Sequence, residues 1–158
     1  MTLASKATQP DNASLAISTE AWLAVVKTYN ECTATLSKRL APLGLSVLEH
    51  EVLMNLLRSN TLTQRQLSQR CFSAKSGISM LVARFEADGL VHRRRCPEDQ
   101  RAWSLSLTPK GQKTARKALA VQAEVVSAMA EAFSDAELTL VKSRMTTAAA
   151  ALKNLRES

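Results

Sequence analysis

Most apolar residues of the chain recur every three or four positions, the spacing that places them on one face of a helix. In the segment 72–111 this spacing predicts a helix over 74–88, with Ser73 to cap its first turn and Gly89 to end it. Four residues form the apolar face of that helix: Ile78, Leu81, Val82 and Phe85. The rest of its surface is mostly short and polar.

After this helix the apolar period changes from helical to alternating. Residues 90–95 include three consecutive arginines, and in 102–107 a tryptophan and two leucines alternate with two serines. Such alternation predicts half-buried strands, and the charged segment 96–101 predicts the turn between them. A polar-faced helix followed by a basic two-stranded hairpin is the pattern of a winged helix-turn-helix, so this segment is predicted to read DNA.

Two shorter helices precede this unit, and each begins with a capping box. Ser46 and Glu49 can satisfy each other's exposed backbone amides and open the first helix. Thr63 and Gln66 form a second box, which opens a short helix to about residue 70. Two short helices joined by a brief turn complete the helix-turn-helix arrangement.

Longer helices are predicted on either side of the DNA-reading unit. Residues 1–14 are expected to be a flexible polar tail, and the first long helix follows over about 19–40. A second begins at Pro109, because proline suits the first helical position, and runs to about Phe133. A third follows the capping box that begins at Ser134.

These outer helices carry apolar stripes that a folded protein has to bury. On the first helix the stripe consists of Trp22, Val25, Tyr29, Cys32, Leu36 and Leu40. On the last helix six residues follow a heptad spacing, typical of a helix packed lengthwise on another: Leu138, Val141, Met145, Ala148, Leu152 and Leu155. A homodimer would bury both stripes across its two-fold axis, and one winged helix reads few base pairs alone. A monomeric helical bundle is the alternative.

Composition and charge agree with a small DNA-binding protein. The 158 residues suit one domain, and 21 basic against 14 acidic residues give a net charge of +7, which favours an anionic partner. No apolar run approaches the roughly 18 residues of a membrane-spanning helix, and the N-terminus lacks the apolar core of a signal peptide. Three cysteines without tight spacing indicate reduced thiols, so a cytoplasmic protein without a membrane partner is predicted.

The sequence offers little for catalysis or metal binding. It has no Gly-rich phosphate loop, no Gly-x-Ser-x-Gly motif and no His-x-x-x-His pair. Its two histidines, His50 and His92, are too few for a credible acid–base or metal site. We therefore expect neither an enzyme nor a bound cofactor or metal.

Four motifs occur in the order and spacing of one known family. They are Gly44-Leu45-Ser46, Gly89-Leu90-Val91-His92-Arg93, Asp99-Gln100-Arg101 and Leu107-Thr108-Pro109-Lys110-Gly111. On these motifs, residues 15 to 155 resemble the MarR family of bacterial transcriptional regulators. The resemblance implies a homodimer that binds a palindromic operator in double-stranded DNA. It also implies a repressor, less often an activator, that is released by a small aromatic carboxylate or similar anion.

The resemblance also implies a fold and a division of the chain. The fold is mainly α with a small two-stranded β wing, and 15–158 form a single domain. Within it, residues 45–108 are the winged helix-turn-helix lobe, while 15–44 and 109–158 are the dimerisation helices.

The helix over 74–88 is expected to enter the major groove of DNA. Lys75, Ser76 and Ser79 would lie nearest the base edges or phosphates, and Arg84 would meet the backbone. For each of these residues the alternative is a solvated side chain without a specific contact.

The hairpin is expected to act as the wing. Arg101 matches the arginine that the family inserts into a minor groove, where negative potential is concentrated. Asp99 would be repelled by DNA and is expected to hold an arginine in place. Arg93 and Arg95 are phosphate candidates on one face of their strand, and Arg94 points to the other.

A ligand site is expected where the dimerisation helices meet the DNA-binding lobe. Trp22, Val26, His50 and Met54 would suit an aromatic ring, and Arg58 or Arg65 could pair with its carboxylate. The alternative is that Trp22 and Met54 are ordinary core residues.

Two other functions stay open. One is a thiol-based redox sensor on the same scaffold, because Cys96 follows three arginines that favour its thiolate. Cys32 and Cys71 are instead expected in the core. The other is a helical interaction protein whose basic wing binds RNA or an acidic protein.

Overall fold

The computed structural model describes residues 12–71, 77–96 and 102–158, which form helices around a small antiparallel sheet. In chain order the elements are α1 (Asn12–Leu40), a 3-10 turn (Ala41–Leu43), α2 (Val47–Ser59), β1 (Thr61–Thr63), α3 (Gln64–Arg70), α4 (Ile78–Ala87), β2 (Val91–Arg95), β3 (Trp103–Leu107), α5 (Pro109–Ala130) and α6 (Asp135–Glu157). Within the described ranges, no single helix is long and apolar enough to cross a membrane; α1 and α2 reach that length and apolarity only together, across an 82° bend.

The predicted capping boxes start three of the helices. At α2, the Glu49 carboxylate accepts a hydrogen bond from the Ser46 amide at 2.6 Å, and the Ser46 hydroxyl accepts one from the Glu49 amide at 3.3 Å. Equivalent boxes begin α3 and α6. The first helix departs from prediction, because α1 begins at Asn12, inside the stretch expected to be a flexible tail. The predicted cap Ser73 lies outside the described residues.

The sheet has one strand more than predicted. β3 lies at its centre, and β1 and β2 pair with it in antiparallel fashion, in the order β1-β3-β2. The register places Leu62 opposite Leu105, and Arg95 opposite Trp103. β2 and β3 form the predicted two-stranded wing. β1 is an additional strand that was not predicted, because it is only three residues long and shows no alternation that a sequence pattern can detect.

A single core lies under the sheet, between α2, α3, α4 and the ends of α1 and α5. Its largest fully buried members are Leu40, Val52, Leu53, Leu56, Leu67, Ile78, Val82, Phe85 and Leu105. All four residues of the predicted apolar face of α4 are buried. The core thus belongs to the winged lobe and to its junction with the outer helices.

The motif Leu107-Thr108-Pro109-Lys110-Gly111 fixes that junction. The Thr108 hydroxyl donates to the Gly89 carbonyl at 2.7 Å and accepts from the Gly111 amide at 2.9 Å. A Cβ at Gly111 would overlap the Leu90 carbonyl oxygen and lie 2.9 Å from its carbonyl carbon, so only glycine lets α5 approach the start of β2 this closely.

The outer helices leave most of their apolar stripes exposed within one chain. Trp22 is 62% exposed and Tyr29 is 66% exposed on α1, and no described residue of α6 is buried. On α6, the seam residues Leu152 and Leu155 are 66% and 74% exposed. The stripes are therefore only partly covered within one chain, and their exposed residues remain available for a partner.

Candidate nucleic-acid interface

The outward face of α4 is small and polar at Ser79 but apolar at Met80. Ser79 is exposed, as predicted for a residue that meets DNA. Met80 next to it is 78% exposed, which makes it the most exposed large apolar side chain of the described residues. Sequence reasoning missed Met80, although its position off the apolar face of α4 could have indicated it.

The first turn of α3 is fastened to α4. The Gln64 side-chain amide donates a hydrogen bond to the Ser79 hydroxyl at 2.7 Å. Gln64 follows the helix cap Thr63, so its position is set by the capping box of α3. This contact places the first turn of α3 beside the surface of α4 that was predicted to read DNA, and it adds Gln64 to the candidate interface.

Arg84 forms an ion pair inside the protein. Its guanidinium pairs with the carboxylate of Glu49, which also caps α2 by accepting from the Ser46 amide. The Glu49 side chain is 11% exposed and the Arg84 side chain 56%. This ion pair links α4 to the start of α2. The expected contact of Arg84 with the DNA backbone stays a prediction.

The stem of the hairpin is held by stacking of arginines on tryptophan. The guanidiniums of Arg93 and Arg95 lie 4.2 Å and 4.0 Å from the centre of the Trp103 ring. Arg93 also lies 3.9 Å from the Glu86 carboxylate of α4. Both arginines are on one face of β2, as the alternation predicted. Cation–π contacts of this kind rigidify the stem and concentrate positive charge there.

Three of the predicted DNA-binding residues lie outside the described part of the chain: Lys75, Ser76 and Arg101. The predicted wing support Asp99 lies outside it as well. Their roles stay predictions.

A groove of about 580 Å³ separates the first turn of α3 from the hairpin stem, and we call it the wing groove. It is lined by Thr63, Gln64, Arg65, Ser68, Arg93, Cys96, Ala102 and Trp103. Arg65 had been considered as a partner for a ligand carboxylate near the dimerisation helices, but it faces this groove instead. The sequence showed the exposed pair Gln64-Arg65 after a cap, yet not the surface that it would face.

The four residues of the expected ligand site differ in burial. His50 and Met54 are 6% and 4% exposed, Val26 is half-buried, and Trp22 is 62% exposed. Burial lowers the pKa of His50, and a hydrogen bond with Gln122 partly opposes that shift. The His50 Nε2 atom has no hydrogen-bond partner among the described residues. Met54 therefore belongs to the core, while His50 keeps one polar atom unsatisfied.

The three cysteines lie in different surroundings. Cys71 is buried, as expected for a core residue. Burial is the main cause that raises the pKa of its thiol to about 11, and the nearby charge of Glu51 adds to the shift. Cys32 is half-buried in a groove between α1 and α5. Cys96 is half-buried in the wing groove, and its backbone amide donates to the Ala102 carbonyl at 3.0 Å. The described residues contain no group of three metal-ligating side chains.

Part of the chain is similar in sequence to known transcriptional regulators. Residues 43–102 match the sequence model of the MarR family. An uncharacterized HTH-type transcriptional regulator of Bacillus anthracis is 26% identical over 101 residues, which cover 64% of this chain and 67% of the relative.

Solved structures agree with the fold. The chain is similar to AbsC, a MarR family transcriptional regulator from Streptomyces coelicolor, with a TM-score of 0.78 and 25% identity over 92% of this chain and 98% of that one. BpsR of Bordetella bronchiseptica, whose DNA binding is regulated by 6-hydroxynicotinic acid, has a TM-score of 0.71 and 14% identity over 82% of this chain and 98% of that one. The predicted winged helix-turn-helix fold is confirmed.

Proposed function

Because residues 43–102 match the MarR family model and the chain is similar in fold to AbsC, we propose that it is a MarR-type homodimeric repressor. It would bind a palindromic operator and be released by a small aromatic anion. The observation that carries this proposal is the contrast between a winged lobe with a complete core and outer helices with exposed apolar stripes. The winged lobe has a buried core of its own, whereas the apolar stripes of the outer helices need a partner to cover them.

The exposed stripes support the dimer. α1 and α6 come from opposite ends of the chain. The end of α5 adds exposed Val126 and Met129, and Phe133 between α5 and α6 is also exposed. A second copy of the chain offers the same stripes, so two copies can cover each other across a two-fold axis. The paired lobes would then match two half-sites about one helical turn of DNA apart.

On DNA, each lobe would present α4 to the major groove and the hairpin to the adjacent minor groove. Ser79 and the preceding Lys75 and Ser76 would meet base edges or phosphates, and Arg101 would enter the minor groove. Arg95, stacked on Trp103, would supply positive charge beside the backbone.

Selection of bound sequences from a random duplex library tests this function. The wild-type chain should enrich an inverted repeat whose half-site centres are about 10 base pairs apart. Light scattering of the complex should give two chains per operator. Enrichment of RNA over duplex DNA, or of no sequence at all, would contradict the proposal and favour the basic interaction protein.

A small aromatic acid is the ligand class that we propose for release. The regulation of BpsR by 6-hydroxynicotinic acid supports this class. In this chain, the unsatisfied Nε2 of buried His50 is a polar atom that a ligand hydroxyl or carboxylate could satisfy. Titration of the operator complex with 6-hydroxynicotinic acid and salicylate, read by fluorescence anisotropy, should release the DNA, and His50→Gln should weaken that release. Release by peroxide alone, blocked by Cys96→Ser, would instead support the redox sensor.

A further inference from the structure

The wing groove lies between the two parts of the lobe that the proposed function places on DNA. One wall is the first turn of α3, which the 2.7 Å bond from Gln64 to Ser79 fastens to α4. The other wall is the stem of the hairpin, with Arg93 and Trp103. The groove therefore lies between the hairpin stem and the first turn of α3, the part of α3 that is bonded to α4.

The chemistry of the groove suits an anion that bears several oxygens. Arg65 is exposed, and its guanidinium makes no hydrogen bond or ion pair with another described residue. Arg93 lines the opposite wall, and its Nε is a buried donor with no partner in the described part of the chain. Thr63 and Ser68 add hydroxyl groups to the same lining. Guanidinium and hydroxyl groups are donors that bind phosphate oxygens.

Duplex DNA itself supplies such an anion at this place. A sugar–phosphate strand separates each major groove from the adjacent minor groove. A protein that inserts α4 into one groove and the hairpin into the next must let that strand pass between them. The wing groove is the depression that lies there, and its walls carry cationic and hydroxyl donors.

We propose that the wing groove receives this strand and that Arg65 binds one of its phosphates. Arg93 would face that phosphate from the hairpin stem, and Ser68 lines the same groove. The inference deepens the proposed function, on which it rests, by assigning a phosphate contact to α3. Phosphate contacts set affinity and register without selecting sequence. Arg65 therefore contributes to binding of every DNA sequence equally.

The test compares Arg65→Ala with the matched control Arg70→Ala. Both arginines are exposed on α3, but Arg70 lies at its other end and donates to the Ser59 hydroxyl at 2.5 Å. Affinity for the wild-type-selected operator and for a scrambled duplex is measured by anisotropy from about 0.05 to 0.2 M salt. Thermal unfolding confirms that each variant is folded.

Arg65→Ala should weaken both duplexes by roughly tenfold per lobe and reduce the slope of log affinity against log salt by about one per lobe, hence about two per dimer. Arg65→Lys should recover most of the slope, because it restores the charge. Arg70→Ala should leave the slope unchanged. The inference is overturned if Arg65→Ala binds the operator with wild-type affinity and slope while the wild type remains a sequence-specific DNA binder.

A small organic acid could bind the same donors of the wing groove as a DNA phosphate. Calorimetric titration of the DNA-free chain with salicylate tests whether the groove is an effector site instead. If salicylate binds in an Arg65-dependent manner and Arg65→Ala keeps the wild-type salt slope on DNA, the phosphate assignment is wrong. If the wild type selects no operator, both the inference and the proposed function fail.

Discussion

The winged lobe and the outer helices differ in how their apolar residues are used. In the lobe, Val52, Ile78, Phe85 and Leu105 are fully buried by neighbours from the same chain. On the outer helices, residues with equally regular spacing remain exposed. Periodicity thus reports that a face needs a partner, and the tertiary structure decides whether that partner belongs to the same chain.

The difference also separates two kinds of stability. The lobe has its own core, so it can unfold and refold as a unit whatever happens to the seam of α6. In the proposed dimer, the seam would stabilise the assembly, and its contribution would depend on protein concentration. Substitutions in the two regions are therefore expected to change different measurements.

The largest effect is expected from charges placed in the α6 seam. Met145→Glu combined with Leu152→Glu should raise the dissociation constant of the dimer more than about 100-fold, since two carboxylates would have to be buried in an apolar contact. Operator affinity should fall with it, while the thermal unfolding of the lobe should change little. Analytical ultracentrifugation and anisotropy measure the two quantities.

Ser143→Glu with Ala150→Glu is the matched control for the seam. It adds the same charge to exposed positions on the opposite face of α6 and should leave the dimer intact. Equal dissociation by both double variants would mean that charge, and not the seam, controls assembly.

The junction between the two regions should be the next most sensitive place. Gly111→Ala puts a Cβ onto the Leu90 carbonyl oxygen, so α5 or the start of β2 has to shift. We expect a loss of about 2–3 kcal/mol in the free energy of unfolding, measured by urea denaturation. Gly77→Ala is the control, because its Cβ would meet only a Leu48 methyl at the ordinary distance of 3.5 Å. A wild-type midpoint for Gly111→Ala would show that the close approach is not required.

A smaller effect is expected within the lobe, at the ion pair of Arg84 and Glu49. Arg84→Ala should cost about 1 kcal/mol of stability and leave the salt dependence of operator binding unchanged, because the guanidinium is already paired. Glu49→Gln is the informative partner, since glutamine can still serve the capping box with Ser46. The double variant should then lose less than the sum of the single losses. A reduced salt slope for Arg84→Ala would restore the original expectation that Arg84 meets the DNA backbone.

The predictable part of the molecule is the part controlled by local chemistry. The capping box of Ser46 and Glu49 and the buried face of α4 follow from residues close in sequence, and both are confirmed. Strand β1 could not be predicted, because its three residues form a strand only through pairing with β3.

The candidate site shows the same limit. The predicted residues Arg93 and Arg95 lie on one face, but their stacking on Trp103 depends on strand register. The wing groove was missed because Arg65 and the hairpin stem are far apart in sequence, and only the tertiary fold brings them together. The ion pair of Arg84 was missed for the same reason, since its partner Glu49 is on another helix.

The smallest expected effect concerns His50, a buried residue of α2 in the winged lobe. Burial lowers the pKa of His50 below its ordinary 6.5, Gln122 and Glu51 oppose the shift, and Arg58 adds to it. The unfolded chain then binds a proton near pH 6.5 that the folded chain does not bind, so the free energy of unfolding falls as the pH decreases below that value. Stability should be full above about pH 7 and decline toward the lowered pKa of the folded state.

The measurement is the difference in melting temperature between about pH 7.5 and about pH 5.5 for three chains. His50→Gln should have a smaller acid loss than the wild type, because it removes the titrating group and keeps a polar side chain that Gln122 can still contact. His92→Gln is the control, since His92 is exposed on β2, and it should match the wild type. An identical decrease in melting temperature for all three chains would mean that a group other than His50 causes the loss of stability at low pH.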